Sequence, residues 1–384
     1  MANSKTIVFS FDGTGNEPSD SKSYIEDESI SNILKLHILL GGGILTDRTK
    51  TKTAKGDDQI THYYNGIGTR ESNLSSVPLL GTLITKVQQY VNQGLAPSWG
   101  DARRILTEAI EDFEKSGYDS RKDKIVVFGF SRGAALARKF VATLIHKNVD
   151  CTVDFLGVFD TVAAMDGIHR KGEKISSDVV FENGTLHENV KNAVHIVSLD
   201  EDRVSFTPTL INHEGTPKEP RKRRILEVWF PGVHSDIGGG YWHDGLSDVA
   251  LYFMINQCRE KLGTSIHIAD GTDSSIVEKL IKDQKLEDEG IVVDDIIVNK
   301  QTDGELHVHS GLLAKLDDSQ PRSVHVNIND RPSSIRPLIH YTVKDRFKEV
   351  AQYRPPALRS KYFDLLLKDG SCRKIRGIAG LRQT

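Results

Sequence analysis

Short runs of β-branched and aromatic residues recur along the chain up to about position 230, and each run stops at a turn residue. Runs of this length that are apolar throughout are typical of strands buried on both faces of a sheet. We therefore predict buried strands over residues 5–11, 124–129, 154–159, 193–199 and 225–230.

Helical periodicity fills the intervals between these strands. Residues 101–115 place apolar side chains three and four positions apart, from Ile105 to Phe113, and residues 133–147 repeat the pattern. Strands that alternate with helices need crossover connections, which are right-handed and give a parallel sheet covered by helices on both faces. The sequence therefore predicts an α/β fold with a mostly parallel sheet.

The remaining segments carry weaker patterns and are interpreted as insertions into one domain spanning residues 1–384. These insertions are expected at about 17–60, 70–100 and 264–330, and the second contains an apolar helical stretch over residues 75–91. The last is rich in Asp, Lys and Gly, which predicts a peripheral position. Because the chain has no internal repeat and no low-complexity linker, a single elaborated domain is favoured over two.

Composition excludes several classes of protein. The 50 Lys and Arg against 53 Asp and Glu leave a net charge of −3, so no overall field attracts nucleic acid, and we expect no nucleic-acid partner. No apolar run is long enough to span a bilayer. The N-terminus lacks the pattern of a secretory signal, which predicts synthesis in the cytoplasm and leaves export by a signal-independent route open. Cys151, Cys258 and Cys372 are too scattered for a disulfide framework or a zinc site.

Reactive side chains follow the predicted strands at their carboxyl ends. Asp12, Ser131, Asp160 and Asp200 each come directly after a strand, and His234 follows the fifth strand after a short turn. In parallel sheets the carboxyl ends of the strands lie at one edge, where ligands bind and chemistry takes place. We therefore expect these side chains to lie close together.

Ser131 lies in Gly129-Phe130-Ser131-Arg132-Gly133, between a predicted strand and a predicted helix. This G-x-S-x-G pattern in that context is typical of the nucleophile elbow of α/β-hydrolases, where the glycines let strand and helix approach closely. The backbone N–H of Arg132, at the helix start, can donate to a developing oxyanion. The sequence therefore predicts an α/β-hydrolase-like fold in which Ser131 is the nucleophile.

A serine nucleophile needs an imidazole to take its proton and a carboxylate to orient that imidazole. His234 follows the fifth strand, where the base is expected, and His340 is the competing candidate. Asp160 is the favoured acid because it ends the strand after that of the nucleophile. The acids that remain as alternatives are Asp200, Asp202 and Asp236.

The turn after the first strand, Asp12-Gly13-Thr14, can aim backbone N–H groups of Gly13 and Thr14 at an oxyanion. It also resembles a phosphate-handling D-x-D-G-T loop, but Ser10 stands where that motif has its nucleophilic aspartate, so Asp12 would be structural or a metal ligand. A metal-dependent phosphoesterase built on Asp12 and Asp160 therefore remains an alternative, as does a non-catalytic binding module. We predict neither a metal nor a cofactor.

Taken together, the motifs resemble the bacterial and fungal DUF2235 proteins, whose best-known members are Tle1-like phospholipase effectors of type VI secretion. The resemblance spans residues 6 to about 242, and 264–330 differs. It implies that Ser131, Asp160 and His234 are nucleophile, acid and base, and that phospholipid acyl esters are cleaved. The matching stretches are FSFDGTGN, ESISNILKLHILL, YYNGIGT, KIVVFGFSRGAALAR, FLGVFDTV, HIVSLDEDRVSFTP and EVWFPGVHSDIGGGY, with IHYTVKDRF further on.

The function expected from this resemblance is a serine-dependent hydrolase of carboxylic esters that forms an acyl-enzyme. Phospholipids are the expected substrates, and small soluble esters are the alternative. The apolar stretch 78–91 is more typical of a core helix, and the basic run 218–224 of a solvated loop. Peripheral membrane contact, through a lipid-contacting lid or through anionic headgroups, is the alternative for each. A secretion-system or immunity protein is the expected kind of protein partner.

Overall fold

A computed structural model of the chain describes residues 4–18, 20, 27–44, 54–55, 58–69, 99–163, 185–213, 223–307 and 318–383. The apolar stretch 75–91 lies outside the described residues, and so does most of the basic run 218–224. Predictions made for those two segments therefore stay predictions.

A ten-stranded sheet forms the centre of the described part of the chain, in the order β15-β14-β13-β9-β7-β6-β5-β1-β4-β3. The eight strands from β14 to β4 are mutually parallel, and β15 and β3 close the two edges in antiparallel pairing. The strands of this sheet are β1 (Thr6–Phe11), β3 (Ala54–Lys55), β4 (Gln59–Tyr64), β5 (Lys124–Phe130), β6 (Phe155–Phe159), β7 (Ala193–Ser198), β9 (Ile225–Phe230), β13 (Leu338–His340), β14 (Tyr362–Leu366) and β15 (Cys372–Arg376).

Short strands outside this sheet form two small sheets. β2 (Glu28–Ser31) pairs antiparallel with β10 (Gly239–Tyr241). β11 (Asn327–Ile328) pairs parallel with β8 (Asn212–His213) and antiparallel with β12 (Arg331–Pro332). Both lie in segments that connect strands of the central sheet.

Helices cover both faces of the central sheet, as the sequence predicts. Alternate residues of β1 point to opposite faces, so Val8 packs with one apolar core while Ile7 and Phe9 pack with another. Burial on both faces explains why these strands are apolar throughout. The helices are α1 (Asn32–Leu39), α2 (Trp99–Lys115), α3 (Ser131–Lys147), α4 (His234–Gly238), α5 (Gly245–Leu262), α6 (Ser274–Gln284), α7 (Val293–Ile296) and α8 (Tyr341–Glu349).

The core that includes Val8 contains the apolar sides of α1, α5 and α6, and the core that includes Phe9 contains those of α2 and α3. A third apolar cluster, around Trp229 and Ile339, packs where β9 and β13 meet. The five predicted strands and two predicted helices are all present, so the predicted fold class is confirmed. Among the helices that the structure describes, none combines the length and apolar character needed to cross a membrane.

Candidate active site

Ser131 lies at the turn where β5 ends and α3 begins, and its backbone has a φ of 56°. L-amino acids rarely adopt this left-handed conformation, and residues forced into it are concentrated at functional sites. The neighbouring glycines make the turn sterically possible. A Cβ on Gly129 would lie 2.7 Å from the Cα of Ala134, and one on Gly133 would lie 2.5 Å from the Phe11 carbonyl oxygen. The sequence motif thus corresponds to a real close approach of β5, α3 and β1.

His234 is the first residue of α4, four positions after β9. Its Nδ1 is 2.5 Å from Oδ2 of Asp160. The imidazole is packed between the ring of Phe130, 4.7 Å away between centroids, and the edge of Phe206 at 4.9 Å. Nε2 is buried and makes no hydrogen bond to the described residues. An imidazole held this way keeps one nitrogen available to accept a proton.

Asp160 directly follows β6 and also has a left-handed backbone, with a φ of 38°. Its Oδ1 accepts the Ser198 N–H at 2.9 Å, and Arg322 donates Nη1 to Oδ1 at 2.6 Å and Nη2 to Oδ2 at 2.9 Å. Burial raises the pKa of Asp160, but Arg322 and the His234 hydrogen bond outweigh this effect and hold that pKa below its usual range. Asp160 is therefore ionised at neutral pH, which fixes the proton of His234 on Nδ1.

The protonation of His234 follows from the same surroundings. Burial lowers its pKa below the ordinary value, although the hydrogen bond to Asp160 acts in the opposite direction. The imidazole is consequently neutral at pH 7. A neutral imidazole with Nδ1 protonated has its lone pair on Nε2, which is the form a general base requires.

The turns that carry Ser131 and Asp160 are connected through the backbone. The carbonyl oxygen of Ser131 accepts the N–H of Val162 at 3.2 Å, two residues beyond Asp160. On the other side of this second turn, His195 Nε2 accepts the N–H of Thr161 at 3.1 Å while its Nδ1 is 2.8 Å from Glu227. These bonds hold the Asp160 turn in place although its backbone is strained.

The alternative acids have partners of their own. Asp200 accepts the Gly232 N–H and the Tyr353 hydroxyl, and burial raises its pKa to about 6. Asp202 accepts the hydroxyl of Ser319 at 2.6 Å. Neither is brought into contact with His234 in the structure.

Asp236 and His340 are also placed elsewhere. Asp236 lies 2.5 Å from Nδ1 of His307 and caps the N–H of Val233. His340 stacks on Phe230, its Nδ1 is 2.8 Å from the Thr342 hydroxyl, and burial lowers its pKa to about 3. The structure therefore brings Asp160 and His234 together and places the four alternatives elsewhere.

The turn after β1 is organised by the carboxyl of Asp12. The Gly13 N–H donates to it at 2.7 Å, and the hydroxyls of Ser31 and Tyr63 each donate at 2.6 Å. Burial raises the pKa of Asp12 to about 6 despite these bonds. Because its N–H already serves Asp12, Gly13 is a weaker candidate for an oxyanion donor than Thr14. In the part of the chain that the structure describes, Thr14 has a buried hydroxyl without a hydrogen-bond partner.

Sequence reasoning missed three residues around His234 and Asp160. Glu201 accepts the backbone N–H of His234 at 3.1 Å, Phe206 packs on its ring, and Arg322 holds Asp160. Glu201 and Phe206 lie within the matched stretch HIVSLDEDRVSFTP, so a signal for them was present. Arg322 belongs to residues 264–330, which were predicted to be peripheral, and no local pattern marks it. The described residues contain no group of three or more His, Cys, Asp or Glu that could hold a metal ion.

Comparison with known proteins assigns the sequence to a family. The profile described as "T6SS, Phospholipase effector Tle1-like, catalytic domain" matches residues 5–149 and 146–257. This match confirms the resemblance noted from the motifs. No curated protein matches the chain.

Among solved structures, an uncharacterized protein from Pseudomonas aeruginosa is 20% identical with a TM-score of 0.41, over 77% of this chain and 50% of that one. The Tle1 effector bound to the VgrG spike of the type 6 secretion system is 24% identical with a TM-score of 0.33, over 62% of this chain and 52% of that one. Esterase 2 of Thermogutta terrifontis is 13% identical with a TM-score of 0.33, over 69% of this chain and 85% of that one. The chain spans about half the length of the first two.

Proposed function

The chain belongs to the family of Tle1-like phospholipase effector catalytic domains of the type VI secretion system, and on this premise we propose that it is a serine hydrolase of carboxylic esters. One observation carries the proposal. The imidazole of His234 is bound through Nδ1 to a buried carboxylate, its Nε2 is left without a bond among the described residues, and its ring packs on Phe130, the neighbour of Ser131. We assign this imidazole as the base for Ser131, whose backbone has a φ of 56°.

The reaction begins with the Ser131 hydroxyl. Nε2 of His234 takes its proton as Oγ attacks the ester carbonyl, and the resulting imidazolium is stabilised by the Asp160 carboxylate. The oxyanion accepts hydrogen bonds from the backbone N–H of Arg132, at the start of α3, and from that of Thr14. Collapse of the tetrahedral intermediate expels the alcohol, which receives the proton from His234, and leaves an ester on Ser131.

Deacylation repeats these steps with water. His234 takes a proton from a water molecule, the hydroxide attacks the acyl-enzyme, and the second tetrahedral intermediate releases the carboxylic acid. Ser131 Oγ then recovers its proton from His234. The cycle consumes one ester and one water and yields one alcohol and one acid.

Membership of the family supports phospholipid acyl esters as the substrate class. The test compares hydrolysis of phosphatidylethanolamine and phosphatidylglycerol vesicles with that of p-nitrophenyl butyrate, for the wild type and for Ser131→Ala. We expect release of fatty acid from the vesicles by the wild type only. Turnover of the small ester without vesicle hydrolysis would reject the lipid substrate, and no turnover of either would reject the hydrolase.

The family also supports export by the type VI secretion system after synthesis in the cytoplasm. In one similar structure Tle1 is bound to the VgrG spike, and we propose a spike protein of that kind as the partner of this chain. Co-purification of the chain with the VgrG protein of its own source is the expected result. If the two proteins elute separately at micromolar concentrations, the proposed partner is wrong.

A further inference from the structure

Arg322 is a buried arginine whose guanidinium contacts both oxygens of the Asp160 carboxylate. The two bonds, 2.6 Å from Nη1 to Oδ1 and 2.9 Å from Nη2 to Oδ2, form a bidentate ion pair. The side chain is only 3% exposed, so solvent screens the pair weakly. Oδ2 therefore accepts hydrogen bonds from both Arg322 and His234.

The same guanidinium connects two further parts of the fold. Nη1 also donates to the carbonyl oxygen of Ser198 at the end of β7, at 2.8 Å, and Nη2 donates to that of Phe206 at 2.6 Å. Phe206 packs against the His234 ring. Arg322 thus holds the carboxylate and, through the backbone of Phe206, one wall of the imidazole pocket.

The segment that carries Arg322 is held against the loop after β7. Gln320 N–H donates to the Asp202 carbonyl at 2.7 Å, and Val204 N–H donates to that of Asp318 at 3.0 Å. Beyond Arg322, β11 pairs with β8. The guanidinium is therefore delivered by a strand-like segment with its own backbone bonds, so its position does not depend on the ion pair alone.

Other charged groups also face the dyad formed by His234 and Asp160. Glu201 Oε2 accepts the His234 N–H, and Arg203 pairs with Glu201 at 2.8 Å while its guanidinium covers the Phe206 ring at 3.6 Å. Further titratable groups lie next to these. They are His195 with Glu227 behind the Asp160 turn, Asp236 of α4 with its partner His307, and Asp200 after β7. None of these groups forms a hydrogen bond with the side chain of Asp160, whereas Arg322 forms two.

We propose that Arg322 is a positioning residue, which acts through Asp160 to keep His234 oriented and to offset part of the carboxylate charge beside it. This inference rests on the proposed function. A guanidinium beside a carboxylate fixes the plane of that carboxylate and removes part of the negative charge that the imidazole experiences. Removal of a cation raises the pKa of every titratable group near it, so both His234 and Asp160 would bind protons more tightly.

The test measures how the rate of labelling by a fluorophosphonate ester depends on pH. In the wild type the rate should fall at acid pH through a midpoint below 6.5, the ordinary pKa of histidine. Arg322→Met should move this midpoint upward by about one pH unit or more. It should also lower the rate at its plateau by about tenfold to a hundredfold, because the imidazole is less well placed.

Two variants separate positioning from a general loss of structure. Arg322→Lys keeps the charge but not the bidentate geometry, so we expect the wild-type midpoint with a reduced plateau. Arg346→Met is the matched control. Arg346 is also buried and also donates to backbone carbonyls, those of Thr302 and Gly304, but it does not contact the dyad. That control should lower the melting temperature without moving the midpoint.

The outcomes distinguish this inference from the proposed function. If Ser131 of the wild type is not labelled, the proposed function is wrong. If it is labelled but Arg322→Met keeps the wild-type midpoint, the role of Arg322 is wrong. Should Arg322→Met fail to fold, Arg322→Lys decides. A reduced plateau at the wild-type midpoint supports the inference, and an undiminished plateau overturns it.

Discussion

Replacement of Gly133 by alanine tests whether the close approach of α3 to β1 is required. Gly133 is the third residue of α3, and alanine at an ordinary helix position is more stable than glycine by about 1 kcal/mol. Propensity alone therefore predicts a more stable protein. The surroundings of Gly133 predict the reverse.

The magnitude follows from the atoms that a Cβ at position 133 would meet. It would lie 2.5 Å from the Phe11 carbonyl oxygen and closer still to that of Asp12, whereas ordinary van der Waals contact begins at 3.4 Å. Both obstacles are backbone atoms, and the Asp12 N–H is bonded to Tyr64 of the neighbouring strand at 3.0 Å. A separation of about 1 Å between α3 and β1 is needed, at a cost of about 1–3 kcal/mol.

The same displacement changes the proposed oxyanion site. The carbonyl of Asp12 lies just before the turn that carries Gly13 and Thr14, while Gly133 lies two residues after Ser131. Moving these two parts about 1 Å apart separates one proposed donor, the Thr14 N–H, from the nucleophile. A displacement of that size can lower a catalytic rate by about a hundredfold.

The assay combines urea denaturation with kcat/KM for p-nitrophenyl butyrate. Gly43→Ala is the matched control, because a Cβ at Gly43 meets no atom within 4 Å and its backbone has no positive φ. We expect Gly133→Ala to lose both stability and activity, and Gly43→Ala to lose neither. A Gly133→Ala protein as stable and as active as the wild type would refute the steric argument.

Three further changes have defined outcomes. Asp160→Asn should lower kcat by about 10³–10⁴-fold, because the amide no longer fixes the tautomer of the His234 imidazole. Asp202→Asn should keep wild-type turnover. Equal rates for the two variants would contradict the assignment of Asp160 as the acid. Ser131→Gly should abolish turnover yet raise the free energy of unfolding by about 1 kcal/mol, since glycine accepts a φ of 56° without strain. A loss of stability in urea would contradict the claim that the Ser131 backbone is strained. His307 is bonded to Asp27 and Asp236, which raise its pKa, so its stabilising effect is complete below pH 6.5 and disappears as pH rises through its folded pKa. The melting temperature of His307→Gln should therefore lie below that of the wild type by an amount that shrinks with increasing pH. A difference that stays constant with pH would argue against the charge on His307.

The central strands were predictable because burial on both faces leaves them apolar throughout. Val126 and Val127 of β5, for example, belong to the cores on opposite faces of the sheet. β4 is the sequence QITHYY, whose mixed polar character gives no such run, and the strands after residue 330 are short or exposed on one side. Their place in the sheet depends on neighbours distant in the chain.

The proposed site was predictable to the extent that strand ends specify it. Asp160 and His234 follow strands that turn out to lie close together, and the structure joins their side chains. Two details needed three-dimensional packing. The bond from Gly13 to Asp12 depends on a carboxyl held by Ser31 and Tyr63, and Arg322 reaches Asp160 across 162 positions of sequence. No local pattern encodes either contact.

The most direct test of the central claim, that Ser131 is the nucleophile and His234 its base, is mass spectrometry after treatment with a fluorophosphonate. Trypsin releases residues 125–132 as one peptide, IVVFGFSR, in which Ser131 is the sole hydroxyl. The account predicts one covalent adduct per chain on this peptide, none in Ser131→Ala, and labelling slowed by several powers of ten in His234→Gln. An unmodified peptide in active wild-type protein, or undiminished labelling of Ser131→Ala at another residue, would contradict it.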